Sequence, residues 1–449
     1  MSEYDVIVIG AGPAGEHCAG VLAAGDKRVA LVERHLLGGE CDYYACMPSK
    51  TLLRPGEALH GALEAPGARE AVTGKLDSGE ALKWRDFMVS DYDDSQKTGW
   101  IEDAGIELIR GDARIAGPGR VAVDGAEHSA EHIVIATGSD PAFPPIPGLA
   151  DLDGVWTNRE ATALKQVPKN LIVMGGGPVG TELSQAFHRM GAEIALVEGA
   201  DRLLAREPEP LGTALGKAFE AEGIELHFGQ FASAVGRDGD EFVVELPDGE
   251  RLSGERLLVA TGRTPRTADI GLDSVGIEPG KRGTIAVDSR MSAGEGLWAV
   301  GDVTGIWPLT YVGKYQGRVA AANILGRSAE ASYDAVPRVV FTDPQAASVG
   351  EAEGPVSATI PIAQVPRAST YMRDYDKTPG YMTLVSDGER LIGAHALGPD
   401  AGEWLQQATV AIRARVPLEV LRDTIQPFPT FSEIFLPAFE ELGAQAEDK

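Results

Sequence analysis

Cys41 and Cys46 stand five residues apart in the run Gly39-Glu40-Cys41-Asp42-Tyr43-Tyr44-Ala45-Cys46-Met47-Pro48-Ser49-Lys50, and they are the only close pair among the chain's three cysteines. Two thiols at this spacing suit either reversible disulfide chemistry or metal binding. A metal would need more ligands than two sulfurs, and no neighbouring Cys or His-x3-His spacing supplies them, so no metal is expected. In a regular helix, residues five apart are rotated by roughly 140° and lie too far apart for a disulfide. Cys41 is therefore expected just before a helix or in a distorted first turn, where the helix N-terminus would lower its pKa. Cys18 fits no such pattern and reads as core packing.

A second chemistry is written twice. Gly10, Gly12 and Gly15 follow the apolar run Val6-Ile7-Val8-Ile9, and Gly175, Gly177 and Gly180 follow Leu171-Ile172-Val173-Met174. Each motif leads through a helical stretch to a second apolar run that ends in an acid, Glu33 or Glu198, 23 residues after the first glycine. The first glycine makes a tight turn, the second lets backbone approach a pyrophosphate, and the third lets helix pack on strand. The helix N-terminus then holds the phosphates and the acid accepts from an adenosine ribose. Two dinucleotides are expected. Glu198 would repel a 2'-phosphate, which favours NADH over NADPH; Arg202, four residues on, would oppose this only if its loop folded back.

These residues require elements to hold them. Ala136-Thr137-Gly138 and Ala260-Thr261-Gly262 each end an apolar run, each runs on to a proline, and they read as the closing strand and turn of the two nucleotide units. The Pro-rich run Pro141 to Pro147 reads as a linker. Leu297 to Val300, ending in Gly301-Asp302, and a helical run from Lys314 to Leu325 return the chain to the first unit. From about Val336 alternating strands and then helices mark a third domain. The expected fold is α/β, with two Rossmann-like dinucleotide-binding domains (1–146 with 266–332, and 147–265) and a C-terminal α+β domain, 336–449.

Composition narrows the partners. A hydrophobic fraction of 43% over 449 residues supports several cores. The net charge of -27 repels phosphate backbones and anionic lipid, so neither nucleic acid nor membrane is an expected partner. The first residues run straight into an apolar strand without a basic segment or cleavage site, so a cytoplasmic protein is expected.

With these residues in hand, the chain resembles the flavoprotein disulfide reductases, the family of dihydrolipoamide dehydrogenase, glutathione reductase and mercuric reductase. The resemblance rests on both glycine motifs, both Ala-Thr-Gly turns, the Cys-x4-Cys-x-Pro-Ser-Lys block, Gly301-Asp302, and Phe341-Thr342-Asp343-Pro344. It implies FAD in the first domain, NAD(H) in the second and a homodimer interface in the last. Asp302 would contact the flavin ribityl chain and Glu33 the FAD ribose, while Lys50 would lie near flavin N5, paired with Glu182. Cys46 would face the flavin and Cys41 the acceptor, so that electrons pass from NADH through flavin to the disulfide and outward.

The chain also departs from its family. Many members place an acid-base histidine near the C-terminus, oriented by a glutamate. Here the segment reads Gln426-Pro427-Phe428-Pro429-Thr430-Phe431-Ser432-Glu433, so Phe428 takes the histidine position and Glu433 stands without its usual partner. Phenylalanine moves no proton. Mercuric reductase relatives also lack the histidine but end in a cysteine pair, and this tail has none. Tyr43 and Tyr44 replace smaller residues between the cysteines and, with Phe428, suggest an aromatic acceptor side. The leading expectation is a dihydrolipoamide dehydrogenase-like NADH oxidoreductase with an unidentified acceptor. One alternative is direct flavin reduction of quinone-like acceptors with the disulfide as a reservoir. Another, of a different class, is a redox sensor or binding protein without turnover.

Overall fold

A computed structural model describes residues 3–374 and 380–447. The chain divides into two compact units where the sequence marks three domains. The first comprises residues 1–48, 84–142 and 262–332; the second comprises 49–83, 143–261 and 333–449.

The first unit is built on a sheet whose strands run in the order Ser292–Gly294, Leu297–Ala299, Ala126–Ile135, Tyr4–Ile9, Val29–Glu33 and Glu107–Arg110. Tyr4–Ile9 pairs in parallel with both neighbours. Val6, Ile7 and Val8 are wholly buried, as expected of a strand covered on both faces. Leu297–Ala299 joins alongside Ile133–Ile135, so the late segment does complete the first sheet. The expected linker is structured at its start: Ser139–Pro141 pairs antiparallel with Arg263–Pro265.

Within the second unit a parallel sheet runs Glu225–Phe228, Glu193–Glu198, Asn170–Met174, Arg256–Val259, and a three-stranded antiparallel sheet spans residues 234–254. A five-stranded antiparallel sheet, Arg338–Val340, Gln345–Gly350, Leu391–Gly398, Tyr381–Ser386, Val356–Pro361, forms the C-terminal part. It shares a core with Phe435, Ala438, Phe439 and Leu442 of the last helix. Burying each of the phenylalanine and leucine side chains contributes about 1.5–3 kcal/mol. Among the described residues, no helix is long and apolar enough to cross a membrane.

The third glycine of each motif has a direct packing reason. A Cβ on Gly15 would lie 1.9 Å from the Gly10 carbonyl oxygen, and one on Gly180 would lie 1.8 Å from that of Gly175. Because the obstacle is backbone, the helix would have to move off the strand. Gly180→Ala is expected to cost about 1–3 kcal/mol and to distort the glycine loop that precedes it. Thermal unfolding checks this, and unchanged stability would contradict it.

Candidate redox site and nucleotide loops

The cysteine segment is two helices, not one. Gly39–Tyr43 forms a short turn entered through Gly38 at φ 104°, Tyr44 leaves helical geometry at φ -134°, and a new helix runs Cys46–Glu64. The break lets the two sulfurs meet across a five-residue spacing. It also gives the long helix's N-terminus to Cys46, whereas the sequence suggested it for Cys41. The expected lowering of Cys41 is accordingly not found. A hydrogen bond shared with Cys46, burial and the adjacent Cys46 charge push the Cys41 thiol up, opposed by the Thr310 hydroxyl.

Thr310 was not visible from sequence. Its hydroxyl donates to Cys41 Sγ at 3.3 Å and lies 3.2 Å from Cys46 Sγ. It is the first residue of the helix Thr310–Ile324, which starts four residues before the expected Lys314. A threonine heading a helical run is a legible start signal. What it faces, 264 residues away, is not.

The intercysteine tyrosines have different fates. Tyr43 is 3% exposed and belongs to the core, so burial removes it from any acceptor-facing surface of this unit. Tyr44 is half-buried and stacks on Tyr92, ring centres 5.6 Å apart.

In the second unit, Lys50 Nζ donates to Glu182 Oε2 at 2.7 Å. The Ser49 hydroxyl reaches the same oxygen at 3.3 Å, and the Phe341 amide donates to Oε1 at 3.0 Å. The Lys50 ammonium also lies 4.7 Å from the Phe341 ring centre. Glu182 is buried, and both of its carboxylate oxygens accept hydrogen bonds. Phe428 is 73% exposed, and Glu433 caps its own turn by accepting from the Thr430 amide at 3.3 Å.

Both nucleotide loops fit their groups. The helices Pro13–Ala23 and Pro178–Arg189 start after Gly12 and Gly177 with no side chain capping their amides, and a Cβ on either glycine would meet open space. Glu33 accepts from Ala11 and His35 amides at 2.8 and 2.7 Å; Glu198 accepts from Gly176 and Ala200 at 2.6 and 2.8 Å. Each carboxylate is thus fixed at its loop, with lone pairs left for a ribose. Arg202 donates to Asp201 at 2.8 Å and to the Ala205 carbonyl at 3.3 Å. Asp302 accepts from Ser139 at 2.5 Å, and Ser139 accepts in turn from Arg263 at 2.7 Å. Ala136 packs its carbonyl against Gly10, Thr137 donates to the Arg266 carbonyl at 2.6 Å, and Gly138, Gly262 and Gly301 all take positive φ.

Two fixed acids at two open helix N-termini, with a sulfur pair in the first unit, define an oxidoreductase that joins dinucleotide and thiol chemistry. Residues 4–317 match the pyridine nucleotide-disulphide oxidoreductase family and residues 336–439 its dimerisation domain. The chain belongs to this family of flavoprotein disulfide reductases, whose members use FAD and NAD(P)H. The second match supports a homodimer. It is 35% identical to a dihydrolipoyl dehydrogenase of Thermus scotoductus, covering 99% of both chains, and 34% identical to a mercuric reductase of Bacillus cereus, covering 96% of this chain and 70% of the relative. Among solved structures it is similar to LpdA from Mycobacterium tuberculosis (TM-score 0.86, 26% identity, 97% and 99% coverage). It is also similar to the Cu(II) complex of the HOCl-induced flavoprotein disulfide reductase RclA from Escherichia coli (TM-score 0.85, 27% identity, 98% and 99% coverage).

Proposed function

We propose that the enzyme passes two electrons from NADH to the Cys41–Cys46 disulfide and from the resulting dithiol to a small oxidised acceptor. The observation that carries this reading is the sulfur pair held on one hydroxyl, Thr310, at 3.3 and 3.2 Å. Bound FAD would supply the two-electron relay between nicotinamide and disulfide. It would be held by the loop Gly10, Gly12 and Gly15, with Glu33 on its ribose and Asp302, fixed by Ser139, on its ribityl chain. Gly175, Gly177, Gly180 and Glu198 would hold NADH.

The chain's own groups then have distinct tasks. Lys50 is anchored by Glu182, and the family resemblance implies that its ammonium would lie near the bound flavin. Breaking the disulfide places two electrons on the sulfurs. Cys41, with its raised pKa, takes the proton and leaves the remaining charge on Cys46, at a helix N-terminus and within reach of Thr310. Cys41 then delivers to the acceptor.

Anaerobic titration with NADH tests the proposal. One equivalent per FAD is expected to produce a long-wavelength band from a thiolate held against the flavin, and the band should be lost in Cys46→Ser. Direct passage to fully reduced flavin would overturn the redox-pair assignment. The same titration with NADPH should reduce the protein more slowly, since Glu198 would face the ribose and Arg202 is engaged with Asp201 and Ala205. Equal rates would overturn the role of Glu198.

A further inference from the structure

Lys97, on the helix Ser95–Asp103, meets carboxylates from two other elements. Its Nζ lies 2.5 Å from Asp42 Oδ2, and 3.1 and 3.2 Å from the two oxygens of Glu16. The side chains are 32% (Lys97), 30% (Asp42) and 15% (Glu16) exposed, so water screens them only in part. The trio carries one net negative charge with the lysine and two without it.

Each carboxylate adjoins a place where the proposed reaction needs negative charge. Glu16 lies in the first turn of Pro13–Ala23, the helix whose N-terminus has no side-chain cap and would face the dinucleotide phosphates. An acid there opposes them unless it is neutralised. Asp42 follows Cys41 directly and disfavours its thiolate. The fold makes room for this cation. A Cβ on Gly38 would lie 2.5 Å from Asp42 Oδ2 and 2.7 Å from Lys97 Nζ, and one on Gly39 would lie 3.0 Å from the Gly12 Cα. The cysteine turn and the phosphate loop therefore abut where Lys97 reaches both. Burial raises the Glu16 pKa; burial also acts to lower that of Lys97, but the bonds to Asp42 and Glu16 outweigh it and hold it raised.

We propose that Lys97 is a positioning residue shared by the flavin phosphate loop and the acceptor-side cysteine, cancelling Glu16 for the first and Asp42 for the second. The inference rests on the reading of Cys41 as half of the redox pair. An uncompensated charge at such depth shifts an equilibrium by roughly tenfold.

Two readouts on holoenzyme test it: the rate of FAD release on dialysis, and the rate at which iodoacetamide alkylates Cys41 after NADH reduction, followed by peptide mapping. Lys97→Met should release FAD about tenfold faster and slow Cys41 alkylation about tenfold. Adding Glu16→Gln should restore FAD retention alone, and adding Asp42→Asn should restore alkylation alone. A lysine with only a general structural role would not give this split, and rescue of both readouts by either change, or of neither, overturns the proposal. Should Lys97→Met fail to fold, the single variants decide. With Lys97 present, Glu16→Gln should slow FAD release and Asp42→Asn should speed alkylation, and the opposite directions overturn the proposal. Absence of NADH-dependent Cys41 alkylation in the unsubstituted enzyme overturns the redox-pair reading itself, and with it the Cys41 half of the proposal.

Discussion

Replacing Cys41 by serine is expected to lower NADH-driven reduction of disulfide acceptors by roughly three orders of magnitude or more, because Cys46 alone cannot resolve a mixed disulfide and re-form the intramolecular one. The variant should keep FAD and should still be reduced by NADH, since neither nucleotide loop uses Cys41. The same protein separates two modes of turnover. If electrons leave through the sulfurs, activity with every physiological acceptor falls with Cys41. If reduced flavin passes electrons directly to a quinone-like molecule, much of that activity survives. Two points make the second mode worth measuring: the shared hydrogen bond and burial raise the Cys41 pKa, and the phenylalanine at position 428 moves no proton. Parallel assays with a small disulfide and a quinone, in Cys41→Ser and unsubstituted enzyme, give the answer. Retention of full disulfide reduction by Cys41→Ser would overturn the central proposal.

The parts of this arrangement that were legible in sequence are those built from neighbours in the chain. The two glycine motifs could be read because strand, turn and helix are adjacent, and because steric demands at Gly15 and Gly180 restrict the residue to glycine wherever this turn occurs. The acids at 33 and 198 follow from strand length in the same unit. Lys50 and Glu182, 132 residues apart, were joined only through the family resemblance. Thr310 and Lys97 escaped because a threonine and a lysine have many ordinary uses, and only topology brings them to the cysteines. Tyr43 was misjudged for a local reason: it ends the five-residue helix and is buried, while Tyr44 leaves helical geometry and stacks on Tyr92. The division of the chain was least legible. Residues 49–83 group with the second unit although they follow the cysteines directly.

The largest gain of function should come from Phe428→His. Thiol exchange needs a group that takes the proton from Cys41 as it attacks, and later returns one. The shared hydrogen bond and burial that raise the Cys41 pKa increase that need. A positioned acid-base group is typically worth roughly 10²- to 10⁴-fold, so dihydrolipoamide turnover should be weak in the unsubstituted enzyme and should rise within that range in Phe428→His. Without the histidine, the rate should climb through alkaline pH as Cys41 ionises unaided; with it, the rise should begin near the imidazole's own pKa. Glu433 sets the size of the gain. Its carboxylate caps the turn Phe431–Ile434 through the Thr430 amide, so it can orient a new imidazole only with a remaining lone pair. Adding Glu433→Gln to Phe428→His should then remove part of the gain, while Glu433→Gln alone should leave the weak basal rate nearly unchanged. If Phe428 instead lines an aromatic acceptor site, the histidine substitution will leave dihydrolipoamide turnover negligible and weaken quinone reduction. Vigorous dihydrolipoamide turnover by the unsubstituted enzyme would contradict both accounts, because it would require a proton acceptor other than residue 428.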